Sequence, residues 1–538
     1  MIDNKQNMSK HPEVNQPIAD FIADLKNNFS IEKAKEEAEK ETKEAEVEEA
    51  GDSMAKLYEK VRNLIEYKDD HLIKRTAIER ILKRNLIIEF RQQNFSDQFL
   101  NELVMAGYLE KKEADKKLKE KIKNTIAKYQ RAVKETGSYR MKKWLTAVAS
   151  CEIEAIIFPN PARYALTRAM YQTVKKRIII KGGNKIKEGD KDIQIFLSVL
   201  RSLSKLDKAN LNYSLLKIFL PDWFKVDLTE KEIEKCILEF PRLAKSLQNK
   251  LENPLSAKIG ITLRKYAVYF NIFYETALSN IEKIDKILAN PESLKFTIQL
   301  AADEVYDWEM KKFRKRVKRS LIFLIITKIV LAVAVEYPYD LYISGETNFL
   351  PIYINLLFPP LYLIILSATI RRPSQENSKM IAKGAEEIVY EKKEDPIAII
   401  NLKELKTASD WSLNIFFIVT YGVSFGLAVW ILDIFKFNWL GILIFLFLFS
   451  VVSFFNALVR QPVRELLVAR EKEGMVGVII DTLSMPFVRI GKWMSVNFSR
   501  VNVFIFLFDV VIEAPFKVVV RFIQQWAGFL RKQKDEMI

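Results

Sequence analysis

Four long apolar runs constrain this chain more than anything else in it: Ser320–Val335, Phe349–Ile370, Trp411–Ile434 and Phe437–Val459. A helix needs roughly 20 apolar residues to cross a hydrocarbon core of about 30 Å. The last three runs reach that length. The first is shorter, and the loosely polar Glu336–Ile343 extends it through the interface. The chain is therefore expected to be an integral membrane protein with a large soluble part in front of the runs.

The connecting segments orient the runs. Lys311, Lys312, Arg314, Lys315, Arg316, Lys318 and Arg319 stand before the first, whereas Glu336–Asn348 after it has neither Lys nor Arg. Arg371, Arg372, Lys379, Lys383, Lys392, Lys393, Lys403 and Lys406 follow the second run. A short turn carrying only Lys436 joins the third and fourth, and Arg460, Arg464, Arg470 and Lys472 come after. Basic residues mark the cytoplasmic side of a membrane. All these segments agree on four passes with the N- and C-termini in the cytoplasm.

Composition fits a two-part chain. It is 49% hydrophobic and 28% charged, high together, as when a charged soluble region is joined to an apolar one. Much of the net charge of +16 is the positive-inside charge just described, so nucleic acid is not expected as a partner. Only 16 Gly and 17 Pro punctuate 538 residues, which favours long helices. Met1–Lys10 is polar, so no cleavable signal peptide is expected and the first apolar run serves as an internal anchor. From its heavy Lys and Ile usage the chain is expected to come from an AT-rich bacterial source.

The soluble part reads as helices throughout. A weak cluster, Ile18, Phe21, Ile22 and Leu25, has the spacing of a short amphipathic helix. Ile31–Ala50 is almost wholly Glu, Lys and Ala, with Glu in excess and no apolar stripe to bury. It reads as a solvated tail, or as an acidic docking tail for a basic partner. Ile78, Ile81 and Leu82 recur at helical spacing, and Ser96 and Asp97 can cap a helix over Gln98–Leu109. A Lys-rich helix over Glu110–Glu135 has the stripe Leu118, Ile122, Ile126, Tyr129 and Val133. Its other faces carry lysines, Lys128 among them, expected to be solvated or to meet anionic lipid or RNA. Helices over Tyr139–Phe158 and Ala162–Ile180 flank Pro159–Pro161. The Gly182-Gly183 pair lacks the spacing of a phosphate loop and reads as a turn, with a small hairpin between Ile178–Ile180 and Lys185–Ile186. Lys191–Leu206 is helical, Thr229 with Glu232 forms a capping box, and Ser256–Leu288 is one long helix with an aromatic stripe that fills a core. Asn290-Pro291-Glu292 then starts a helix strongly, and no Gly or Pro follows before Pro338. That helix is expected to run unbroken from Pro291 to about Glu336, from the cytosol into the membrane.

The expected fold is all-α. A charged tail over 1–52 precedes a helical cytosolic region over 53–290, divided into subdomains near 181–190. A basic linker helix over 291–319 leads to a four-helix transmembrane domain over 320–461 with a cytoplasmic connector at 373–410. C-terminal amphipathic interfacial helices occupy 462–538. There, Val476–Ile490 is expected to break at Pro486. Asp509, Glu513, Lys517 and Arg521, each four apart, form one charged stripe on an otherwise apolar segment.

Chemistry is sparse. His11 and His71 are the only histidines, Cys151 and Cys236 the only cysteines, and none has metal-ligand or triad spacing. No catalytic residues, cofactor-binding residues, cofactor or metal site are expected. The basic cluster Lys311–Arg319 is a candidate for anionic lipid headgroups. Lys328, within the first apolar run, is either snorkelling to the headgroups or a functional intramembrane charge. Three function classes follow: a membrane-anchored helical scaffold with a protein partner or a second copy of itself, a transporter or channel subunit, and a lipid-handling enzyme at the membrane interface.

Overall fold

The computed structural model describes residues 13–40, 70–88, 95–109, 116–181, 188–225, 228–333, 337–339, 341–342, 349–390, 396–401, 411–468 and 475–500. These residues are almost wholly helical, with two short strands. They fall into two compact units. One holds the described residues within Asp20–Lys175 and Lys185–Ile261; the other holds those within Met1–Ala19, Lys176–Asn184 and Thr262–Val503.

The first unit is a helical bundle built from α1 (Gln16–Lys40, from Asp20 onward), α2 (Asp70–Lys83), α3 (Phe95–Met105), α4 (Lys116–Glu135), α5 (Tyr139–Ile157) and α6 (Pro161–Lys175). It continues with α7 (Glu188–Leu203), α8 (Lys208–Phe219), a 3-10 turn over Pro221–Phe224, and α9 (Glu230–Glu252). The expected stripe of α4 is its core face. Ile122, Ile126, Tyr129 and Val133 are buried, and Leu118 packs on their edge. Trp223 sits at the centre, with Tyr129 and Phe240 against it edge to face at 5.3 and 4.9 Å between ring centres. Local signals set the helix starts. Asp207 accepts from the Asn210 amide at the start of α8, and Thr229 and Glu232 make the expected capping box on α9.

The second unit contains α10 (Pro254–Ser279, from Thr262 onward), α11 (Ile284–Leu288), α12 (Pro291–Leu331), α13 (Phe349–Ala368), α14 (Gln375–Val389), α15 (Trp411–Ile434), α16 (Trp439–Glu465) and α17 (Met475–Arg500). Asn290 caps α12 through the amides of Glu292 and Ser293, with Pro291 in its first turn. At 41 residues, and about 1.5 Å per residue, α12 is roughly 60 Å long. Leu294, Ile298, Ala302 and Tyr306, each four apart, are buried on it, and Ile381, Ala385 and Ile388 are the buried face of α14. Among the described residues three helical stretches are long and apolar enough to cross a membrane: Leu350–Ala368, Ile415–Ile434 and Trp439–Glu465. The shorter run Ser320–Val335 is not among them. Its residues to Leu331 form the end of α12.

Two local expectations are corrected, and one pairing was not expected. Lys185–Ile186, the expected hairpin partner, lie outside the described residues. Strand β1 (Ile178–Lys181) pairs with β2 (Ala398–Asn401), parallel, with Ile178 opposite Ala398 and Ile180 opposite Ile400. Two Ile-rich tetrapeptides satisfy one another across a long separation in sequence. The helix expected over Ser256–Leu288 ends at Ser279, because Asn280 turns its Nδ2 back onto the Thr276 carbonyl and the chain turns before α11. Finally, α17 runs through Pro486 rather than breaking there. An internal proline costs about 3 kcal/mol or more. Close packing on α16 offsets it: a Cβ on Gly491 would lie 2.1 Å from the Ser450 carbonyl oxygen, so the two backbones touch.

Candidate functional site

The first unit contains a cavity of ≈ 1200 Å³ between α4, the end of α5, the Pro159–Pro161 turn, α8 and the start of α9. Its floor is an ion pair. Lys128 Nζ donates to Glu152 Oε1 at 2.5 Å and to the Trp223 carbonyl at 2.8 Å, and Tyr129 Oη donates to Glu152 Oε2 at 2.8 Å. Lys128 and Glu152 are both more than nine-tenths buried. Burial holds the Lys128 ammonium below the usual lysine value, and Glu152 opposes that shift. Burial likewise lifts the Tyr129 phenol well above its ordinary range, with Glu152 adding to the rise. The rings of Trp223 and Phe224 lie 5.1 and 5.4 Å from Lys128 Nζ, which adds a cation–π contribution.

The rim is mainly basic and aromatic, with two exposed carboxylates, Glu120 and Glu230, among its lysines. Lys117 and Lys121 project from successive turns of α4, and Lys217 faces them from α8, over the rings of Tyr213 and Tyr164 at 5.4 and 6.0 Å. These three lysines are exposed. Arg131 and Lys225 also line the cavity but are paired, Arg131 with Glu135 and Glu234, Lys225 with Asp222. Apolar wall is supplied by Ile156, Leu228 and Ile233. The arrangement can hold an anionic chain along the rim while apolar groups lie against the wall.

A second buried charge cluster supports the same unit. Arg75 on α2 donates to Glu79 at 2.5 Å and to Asp207 at 2.6 Å. On α5, burial lifts the Glu154 carboxyl to about 7, with Arg75 pulling it back down. The Cys151 thiol is buried and pushed up well above its ordinary value. Among the described residues no group of three His, Cys, Asp or Glu could hold a metal ion.

The second unit places several of the expected site residues. Lys311, Arg314, Lys315, Lys318 and Arg319 are exposed on α12, Arg316 is partly covered, and Lys312 lies over the Trp308 ring at 3.4 Å. Lys328 is 1% exposed, so it is enclosed by protein rather than extended outward. It is one of several buried polar side chains on the apolar helices: Asn355 on α13, Ser424 on α15, and Ser450, Ser453 and Asn456 on α16. Tyr362 and Ser453 hydroxyls lie 3.3 Å apart, and Asn355 lines a cavity of ≈ 20 Å³, about one water in size. At the other end of these helices Asn377 joins three elements. Its Nδ2 donates to Tyr306 Oη at 2.7 Å and to the Leu466 carbonyl at 2.8 Å, and its Oδ1 accepts from the Val468 amide. Asp509, Glu513, Lys517 and Arg521 lie outside the described residues.

The cavity was not anticipated, because Lys128 counts as a solvated lysine in any composition-based reading. One signal existed. Thr125 and Ala132, at helical spacing on either side of Lys128, are small and belong to the edge of the buried arc, where both are indeed buried. Comparison with family models, with curated proteins and with solved structures returns no match.

Proposed function

We propose that this is a membrane-anchored helical docking protein. Its cytosolic unit offers the basic cavity to an acidic polypeptide, and the apolar helices fix that unit to the membrane. The observation that carries the reading is the cavity itself: three exposed lysines from two helices converge on it, beside an apolar wall and above a fully engaged ion pair. A cavity whose floor is internally satisfied binds by complementarity at its rim rather than by chemistry at its base. In this reading the chain crosses the membrane four times, with both termini in the cytoplasm and α12 joining the cytosolic part to the spans. Lys311–Arg319 meets anionic headgroups where α12 enters the bilayer.

Two experiments test it. Purification of the detergent-solubilised protein beside a Lys117→Glu/Lys121→Glu/Lys217→Glu variant, read by quantitative mass spectrometry, should show acidic polypeptides lost from the variant. Equal recovery from both refutes the docking role. For topology, single cysteines at positions 10, 345 and 534 should react with an impermeant maleimide in intact cells only at 345. Reaction at 534 would mean that a further segment crosses.

A second reading, a transporter or channel subunit, draws on the buried polar side chains of the apolar helices. Ser424, Ser450, Ser453 and Asn456 are each at most 3% exposed. Polar groups buried at membrane depth commonly line a solute path. Solute flux in reconstituted vesicles, abolished by Asn456→Leu, is the result that would promote it.

A further inference from the structure

The cavity exceeds what a small ligand fills. Small-molecule pockets run to roughly 300–1,000 Å³, and this one is ≈ 1200 Å³ and open along its lysine rim. A length of polypeptide fits it better. The chain itself contains a segment of the right charge: Ile31–Ala50 has nine glutamates against four lysines, and Glu41–Ala50 alone has five against one. Within Glu41–Ala50 the apolar residues are small, Ala45, Val47 and Ala50.

The helices before and after that segment, α1 and α2, are each anchored near the cavity by one contact. On the N-terminal side, Asp24 of α1 pairs with Arg168 of α6, one turn beyond Tyr164, which lines the cavity. On the C-terminal side the described chain resumes at Asp70, the first residue of α2. One turn later Lys74 Nζ lies 3.8 Å from the centre of the Phe158 ring, next to Pro159 of the rim. From Ala50 to Asp70 an extended chain spans up to about 70 Å, so the link to α2 is long enough for the segment to reach the rim. Being part of the same chain also raises the effective concentration of the segment at the rim above that of a free partner.

We propose that the basic cavity of the helical unit is occupied by this chain's own acidic segment, Glu41–Ala50, lying along Lys117, Lys121 and Lys217. The proposal rests on the reading of the cavity as a polypeptide docking site and names its resident occupant. An outside acidic partner then binds in competition with the segment.

The test uses the full chain in detergent and a zero-length carbodiimide, which joins a lysine to a carboxylate only in direct contact. Lys175–Asp192 and Lys250–Asp190, paired at 2.7 and 2.6 Å, are internal controls. Mass spectrometry should find Lys117, Lys121 or Lys217 joined to a glutamate of Glu41–Glu49, and a mixture of ¹⁴N and ¹⁵N chains should give these links within one isotope. A synthetic 41–50 peptide should bind a chain deleted for 41–50 at least tenfold more tightly than the intact chain. Control links without any link from the rim lysines overturn the proposal. Links only between ¹⁴N and ¹⁵N chains overturn it in favour of a second copy. Equal peptide binding to both chains overturns it while leaving the docking reading standing, and no binding to either removes both.

Discussion

Replacing Glu152 by leucine gives the sharpest test of how the helical unit is held together. The substitution leaves two groups behind. The Lys128 ammonium keeps only the Trp223 carbonyl, the Tyr129 hydroxyl loses its acceptor, and both stay buried. Removing one partner of a buried ion pair costs about 3–5 kcal/mol, mostly for the charge left behind. At about 1.4 kcal/mol per tenfold, that is roughly two to four powers of ten in the local opening constant. Amide hydrogen exchange of the detergent-solubilised chain reads this directly on α4 and α5. Peptides from Lys116–Glu135 should lose protection by at least about a hundredfold, whereas α12 and α14 should not change. The pair Lys128→Met with Glu152→Leu should recover most of the loss, since buried ion pairs replaced whole by apolar groups are often neutral or better. Two results would refute the reasoning: exchange within threefold of wild type in the single variant, or a double variant no better than the single.

Other consequences can be measured on the same protein. Asn377→Leu removes three hydrogen bonds that join α12, α14 and the end of α16, at about 0.5–1.5 kcal/mol each. Faster exchange at Leu466–Val468 with α4 unaffected is the expected signature. Gly384→Ala puts a methyl 2.3 Å from Tyr269 Cζ, so it should destabilise α14 by about 1–3 kcal/mol, and Tyr269→Leu should restore it. Glu154 contributes a pH dependence of definite sign. Its folded carboxyl titrates at about 7 against an ordinary 4.5, so the folded state binds more protons across that window. Stability from this group is therefore greatest below about 4.5 and falls as pH rises to about 7. In Glu154→Gln that fall should vanish from a plot of melting temperature against pH 5–8; an unchanged slope assigns it elsewhere.

The elements most legible in the sequence were those with a local cause. The stripe of α4, the capping box at Thr229, the Asn290–Pro291 start of α12 and three apolar helices were all readable from neighbours a few residues apart. The features missed or misjudged depend on distant partners. Nothing near Ile178 announces a strand at Ala398, and nothing near Pro486 shows that Gly491 will press on the Ser450 carbonyl. The cavity belongs to the same class. Lys128 needs Glu152 from the next helix and a carbonyl from Trp223 before its burial makes sense. Lys328 lies between these cases. Its place in an apolar run was visible, but whether it reaches outward or is enclosed depends on the helices around it.

The parallel pair β1–β2 imposes an order on biosynthesis. Its strands are about 220 residues apart, so at roughly 5–20 residues per second β1 leaves the ribosome some 10–40 seconds before its partner exists. Throughout that interval three consecutive isoleucines carry an unmatched strand edge, the kind of template that recruits other chains. Two helices of the second unit, α12 and the apolar α13, are also synthesised before β2 can close the pair. A chain interrupted anywhere before Ala398 thus keeps that edge open permanently. The second unit carries within it a mark by which an unfinished copy differs from a finished one.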